Sequence, residues 1–65
     1  MKLLLNGDPI TTEATTLDAV LDENGYAEAT VATAVNGDFV PATLRSSHTL
    51  TEGDQIEVLA PMQGG

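Results

Sequence analysis

The chain contains no cysteine. That absence excludes a disulfide framework, a thiolate metal site and a cysteine nucleophile. Basic residues are almost as scarce: Lys2 and Arg45 stand against ten carboxylates, giving a formal net charge of −8. Phosphate recognition needs clustered cations, so neither nucleic acid nor an anionic lipid surface fits as a partner. No apolar run approaches the ~20 residues of a membrane span, and the N-terminus lacks a signal-peptide pattern; a soluble cytoplasmic protein is the expectation. There is also no glycine-rich loop followed by lysine, so the chain carries no signature for binding a nucleotide itself.

What remains is 65 residues, 42% of them hydrophobic. That content is too apolar for a disordered acidic tail and suits one small folded domain. Folding at this size hides only roughly 60% of the unfolded chain's surface, so each core residue counts heavily. The acidity has two readings. It is a solvated surface, of the kind a salt-rich cytoplasm would favour, or it complements a basic partner and speeds encounter.

Lys2–Leu5 is a short apolar run that ends in Asn6-Gly7. Asn-Gly is the strongest local hairpin signal, because both residues tolerate the positive φ of a type I′ turn. Pro9 has no N–H for a ladder and suits a strand start or an edge, which makes Ile10–Glu13 the returning strand. Thr15 offers a helix-capping hydroxyl, with Asp18 three positions later as a weaker capping box. Leu17, Val20 and Leu21 form one apolar stripe, and the spacing predicts a helix over roughly Thr16–Asn24. Gly25 is the left-handed stop.

Val31–Val35 reads as a strand, turned by a second Asn-Gly (Asn36-Gly37) into the short strand Phe39-Val40, which Pro41 ends. Ala42–Thr49 has no clear period and reads as a loop with one helical turn. Leu50 plugs the core from that loop, and Glu52-Gly53-Asp54 is a turn. Gln55–Leu59 is the last strand, with Ile56 and Val58 on one face and Glu57 on the other. A helix crossing from the second strand lets a later strand lie parallel to the first. The architecture expected is therefore a two-layer α+β domain, a mixed sheet with one helix across one face. Its expected core is Leu3, Leu5, Ile10, Leu17, Val20, Leu21, Val31, Val35, Leu50, Ile56 and Val58. Leu4 and Leu59, out of phase with this set, are candidates for a docking face on the uncovered side of the sheet.

Side chains with chemical potential are few. His48 is the only histidine, and with no nucleophile arranged around it a loop role is the plainer reading than a catalytic base. Asp22-Glu23 and Glu52/Asp54 lack the ligand-dense spacing of a calcium loop and read as solvated surface, so no metal is expected. After the last strand comes an uncharged tail, Ala60 to Gly65, which closes on Gly64-Gly65. Glycine carries the largest ordering entropy, so a structural tail gains nothing from it, and alone such an end is ordinary fraying. Two residues without side chains can, however, carry a terminal carboxylate into a channel too narrow for others. Six extended residues reach roughly 20 Å. Glu57 is the last charged side chain, so no other charge need be desolvated on entry. Met62 is either a soft apolar anchor in a partner groove or a spacer.

Taken in order, Leu5-Asn6-Gly7, Ala34-Val35-Asn36-Gly37-Asp38-Phe39-Val40-Pro41, Leu50-Thr51-Glu52-Gly53-Asp54-Gln55-Ile56-Glu57-Val58 and Gln63-Gly64-Gly65 resemble the ThiS family. These are the sulfur carriers of thiamine biosynthesis, and the likeness covers essentially the whole chain. It implies a ubiquitin-like β-grasp fold: a mixed sheet of four to five strands over residues 1–59, one helix across one face, and a flexible tail at 60–65. It further implies that the protein is a co-substrate and not an enzyme. An E1-like activating enzyme would use ATP to adenylate Gly65, with Gly64, Gln63 and Met62 in the partner's channel. A sulfurtransferase or cysteine desulfurase would supply persulfide sulfur, leaving a thiocarboxylate for thiazole synthase to consume. No cofactor would be bound, and the free carrier would be a monomer. One departure stands out: the family often has arginine directly after Val-Pro, where this chain has Ala42, and its only arginine is Arg45. A molybdopterin sulfur carrier or a lysine-linked protein modifier would use the same terminus, and a β-grasp binding module with an inert tail is a reading of another class.

Overall fold

The computed structural model describes residues 1–27 and 29–60. In chain order the elements are β1 (Lys2–Leu5), β2 (Asp8–Thr11), α1 (Leu17–Glu23), β3 (Ala32–Val35), β4 (Asp38–Val40), a 3-10 turn (Ala42–Leu44) and β5 (Gln55–Leu59). The five strands form one mixed sheet in the order β2-β1-β5-β3-β4. Both hairpins are antiparallel, β5 runs parallel to β1 and antiparallel to β3, and the last strand therefore lies at the centre.

Both Asn-Gly pairs form the expected two-residue turns. Asn6 and Gly7 have φ of 50° and 84°, Asn36 and Gly37 of 53° and 87°. Positive φ at both central positions is the type I′ geometry, whose twist matches that of the flanking strands. A two-residue loop fixes register, pairing Leu5 with Asp8 and Val35 with Asp38. This moves β2 toward the turn relative to the Ile10–Glu13 expected. Pro9 does not delay the strand, because β2 is an edge and an edge strand has one side where no N–H is needed.

The helix is stopped as expected and started one residue later. Its N-cap is Thr16, whose Oγ1 accepts from Ala19 N–H at 3.3 Å, in place of Thr15. Thr15 instead uses its carbonyl, which accepts from Leu50 N–H at 2.8 Å and ties the returning loop to the helix entrance. At the other end Tyr26 N–H donates to the Leu21 carbonyl at 2.9 Å and Gly25 N–H to that of Asp22 at 3.3 Å. These two bonds, with Gly25 at φ 87°, make a Schellman stop.

Leu17, Val20 and Leu21 of α1 are buried in one cluster with Leu3, Val35, Val40, Leu50, Ile56 and Val58. Eight of the eleven residues expected in the core are in it, while Leu5, Ile10 and Val31 are only partly buried against its margin. Val40 is an addition, and the hairpin explains it. Pairing opposite Thr33 places Val40 on the helix side and Phe39, opposite Ala34, on the other. Two buried threonines also enter. The Thr12 hydroxyl donates to Glu23 and accepts from Ala14 N–H, joining the end of β2 to the end of α1. Thr33 Oγ1 donates to the Val40 carbonyl at 2.8 Å and accepts from Arg45 Nε at 3.0 Å. No buried polar side-chain atom among the described residues lacks a partner.

Candidate functional site

β5 leads directly into the tail, and its two ends are held in matching ways. At its start, Asn36 Oδ1 accepts from Gln55 N–H at 3.0 Å while Asn36 N–H donates to the Gln55 carbonyl at 2.8 Å. Towards its end, Asn6 N–H donates to the Ile56 carbonyl at 2.8 Å. The Asn6 carboxamide then accepts from Val58 N–H at 2.8 Å and donates to the Val58 carbonyl at 3.3 Å. β1 has already turned away there, so a side-chain amide continues the ladder that its backbone leaves off. The sequence identified these asparagines only as turn formers.

Asp54 reinforces the first of these points. It accepts from Thr51 N–H at 2.9 Å, from Thr51 Oγ1 at 3.0 Å and from Asn36 Nδ2 at 2.9 Å. The backbone bond from Thr51, then the Asn36 amide, hold its carboxyl below the usual 3.8. A carboxyl that is harder to protonate folded than unfolded contributes stability above its unfolded pKa, and loses it as pH falls through the lower folded value. Asp54→Asn is therefore expected to lower the thermal midpoint at neutral pH, with the gap to wild type closing in acid. Melting curves across that range check this, and a gap that persisted in acid would assign the loss to shape instead of charge. Glu52 is also engaged, with its Oε2 accepting from Lys2 N–H at 2.9 Å. The Glu52/Asp54 pair thus serves the turn as hydrogen-bond acceptors, and among the described residues no cluster of metal-ligating side chains occurs.

The uncovered face of the sheet holds the side chains that alternate with the core. Leu4 is half-buried there, and Leu59, 66% exposed, lies on the same face. The two are not neighbours, because Leu4 pairs with Gln55, four residues before Leu59 on β5. Glu57 stands between, in register with Ala34, which pairs in turn with Phe39. Phe39 is 69% exposed and is the largest apolar side chain on this face, which the sequence reading passed over. The signal was available: a two-residue turn after Val35 puts Phe39 out of phase with the core.

Arg45 is half-buried and bonds within the domain. Its Nε reaches Thr33 and its Nη2 donates to the Val31 carbonyl at 2.5 Å, fastening the loop after β4 to the entry of β3. His48 is half-buried, and its backbone carbonyl accepts from Leu17 N–H at 3.0 Å. Gly65, Gly64, Gln63 and Met62 lie outside the described residues, so the structure carries the site as far as Ala60. No helix of the described residues is long and apolar enough to cross a membrane.

A five-stranded mixed sheet wrapped around one short helix, with the first and last strands parallel at its centre, defines a ubiquitin-like β-grasp domain. Comparison with known proteins narrows the class. The ThiS family model matches residues 3–65. The sulfur carrier protein ThiS of Thermus thermophilus is 39% identical over 61 residues, spanning 94% of this chain and 95% of that protein. A crystal structure of the thiamine biosynthesis protein ThiS from Geobacter metallireducens superposes with a TM-score of 0.84 at 29% identity, over all of both chains. The solution structure of a thiamine biosynthesis protein from the same organism gives 0.76 at 28% identity, over all of this chain and 88% of that one. The chain belongs to the ThiS family.

Proposed function

We propose that this chain is a sulfur carrier of thiamine biosynthesis, in which the Gly65 carboxylate is the group that reacts. The observation that carries this reading is the family match, which runs through residue 65 on a domain of the same fold and extent. The chemistry of the chain is in accord. A carboxylate is a poor electrophile, and a chain with no cysteine brings no sulfur of its own. Both activation and sulfur must come from partners.

The steps then follow from the bonds that have to change. A Gly65 carboxylate oxygen attacks the α-phosphorus of ATP in an E1-like activating enzyme, pyrophosphate leaves, and an acyl adenylate forms. The outer sulfur of a cysteine persulfide, held by a sulfurtransferase or desulfurase, attacks the acyl carbon and AMP leaves. A thiol then takes the inner sulfur into a disulfide, supplying the two electrons that release the thiocarboxylate. Thiazole synthase is the proposed acceptor of that sulfur. Gly64, Gln63 and Met62 would occupy the channel of the enzyme, because a diglycine end has no side chain to clash there. This chain's part is that of a protein co-substrate.

The uncovered face is the docking surface in this reading. Leu4, Phe39 and Leu59 supply apolar area, and Glu57 at its centre favours a partner with a basic residue facing it. Pyrophosphate release that depends on this chain, with activating enzyme and ATP supplied, tests the first step. Phe39→Asp is expected to raise the KM for the carrier on the order of tenfold, since an apolar contact is replaced by a desolvated charge. The terminus is intact in this variant, so kcat should stay near wild type. An unchanged KM would remove Phe39 from the docking surface, and no pyrophosphate from the wild type would remove the reading itself.

A further inference from the structure

The Asn6 carboxamide is a second anchor for the strand that bears the tail, and this points to a role beyond the turn. On one flank, the end of β5 is paired to β3 through Thr33↔Val58 and Ala32↔Leu59. On the other flank β1 contributes nothing after Leu5, its last partner on β5 being Ile56. The Val58 N–H and carbonyl face that empty flank, and both are taken by the Asn6 side chain, at 2.8 and 3.3 Å. Asn6 reaches them because its own backbone sits at φ 50° in the hairpin turn, with its N–H on the Ile56 carbonyl. One residue therefore makes three bonds to the last four residues of β5. Without the carboxamide, β5 would be held beyond Ile56 along one flank only. The root of the tail would then rest on the β3 pairing alone and fray more readily back towards Ile56.

We propose that Asn6 is a positioning residue for the reactive terminus: it fixes the point and direction at which the tail leaves the domain. This rests on the carrier reading above. A carrier that docks by its sheet and presents its end in a recessed site behaves as a two-point ligand. For such a ligand the local concentration of the second point depends on the length and stiffness of the link between them. Asn6 shortens that link from the domain side. Asn36, whose carboxamide accepts from Gln55 N–H at the far end of the same strand and donates to Asp54, has no bearing on where the tail emerges.

The test compares Asn6→Gly with Asn36→Gly in the full-length chain. Glycine keeps the positive φ that both turns require and removes the carboxamide. Amide hydrogen exchange is expected to quicken at Val58 on the order of tenfold in Asn6→Gly, from the loss of two net hydrogen bonds. In Asn36→Gly the quickened amide is that of Gln55. With activating enzyme and ATP, Asn6→Gly should lower kcat for pyrophosphate release on the order of three- to tenfold, with KM within about twofold, because the docking surface is intact while the end is less well placed. Asn36→Gly should leave kcat at the wild-type value. Equal losses of kcat in the two variants would overturn the proposal in favour of general loosening. A loss of kcat in Asn6→Gly with Val58 exchange unchanged would assign Asn6 to direct contact with the enzyme, and wild-type kcat in Asn6→Gly would leave it a turn residue only. If the wild type itself released no pyrophosphate, the carrier reading would fall, and the positioning role with it, whatever the exchange data showed.

Discussion

Deleting Gly65 is expected to abolish loading of sulfur while leaving the thermal midpoint of the domain unchanged within about 1 °C. The two halves of that expectation have separate origins. The truncated chain still ends in a carboxylate, now on Gly64, but in the proposed adenylation that group would stop one residue short of the α-phosphorus. A residue of extended chain spans roughly 3.3–3.6 Å, and displacements of even 1 Å from the attacking geometry cost on the order of a hundredfold. Stability is spared because, among the described residues, all nine buried hydrophobic side chains lie at or before Val58. Pyrophosphate release measures the first half and a melting curve the second. A truncated protein loaded at the wild-type rate would contradict the role given to Gly65, and a lowered midpoint would mean that the tail packs on the domain.

Ile56→Ala is expected to have the largest effect on folding. Ile56 is 1% exposed on the central strand, in register with Leu5 on one side and Val35 on the other. Truncating a buried isoleucine to alanine costs about 2–5 kcal/mol, from lost transfer energy and an incompletely closed cavity. At 0.05–0.15 kcal/mol per residue, a domain of this length holds about 3–10 kcal/mol in all. The substitution should lower the midpoint by roughly 10–30 °C, and a variant at the lower end of stability should be unfolded at ambient temperature. Leu59→Ala, on the uncovered face, provides the contrast, because its side chain is already largely in water. Similar losses for the two would contradict the assignment of faces on β5.

The elements of the fold were legible because their signals are local. Asn6-Gly7 and Asn36-Gly37 demand their own turns, Leu17, Val20 and Leu21 mark one helix face, and Gln55–Leu59 alternates over its whole length. What the sequence concealed depends on distant pairs. Thr12 reads as a surface residue until Glu23 is folded against it, and Thr33 until Val40 and Arg45 close on it. The helix start was displaced although Asp18 gives Thr15 the better local capping signal; the Thr15 carbonyl is taken by Leu50 of the returning loop, which leaves Thr16 to cap the helix. Phe39 and Val40 were separable in principle, since a two-residue turn fixes which of them faces the helix. The placement of Leu4 and Leu59 on one uncovered face followed from alternation alone, whereas their separation by Glu57 needed the register of β1 on β5. The bonds from Asn6 and Asn36 to the central strand had no sequence signal beyond the asparagine itself, because glycine or aspartate would have satisfied the turns.

Arg45 shows the same limit from the other side. The resemblance implied an arginine directly after Val40-Pro41, and this chain has Ala42 there with its only arginine three residues later. In the structure that arginine is spent on Thr33 and Val31 within the domain.

Mass spectrometry of the C-terminal peptide, from protein purified out of its host under conditions that preserve thioacids, shows whether Gly65 carries sulfur. A sulfur carrier should show a population in which one oxygen of the Gly65 carboxyl is replaced by sulfur, and which grows when thiazole synthase is absent. A terminus that stays an ordinary carboxylate after incubation with activating enzyme, ATP and a persulfide donor would contradict it, and so would recovery of Gly65 in isopeptide linkage to lysines of other proteins.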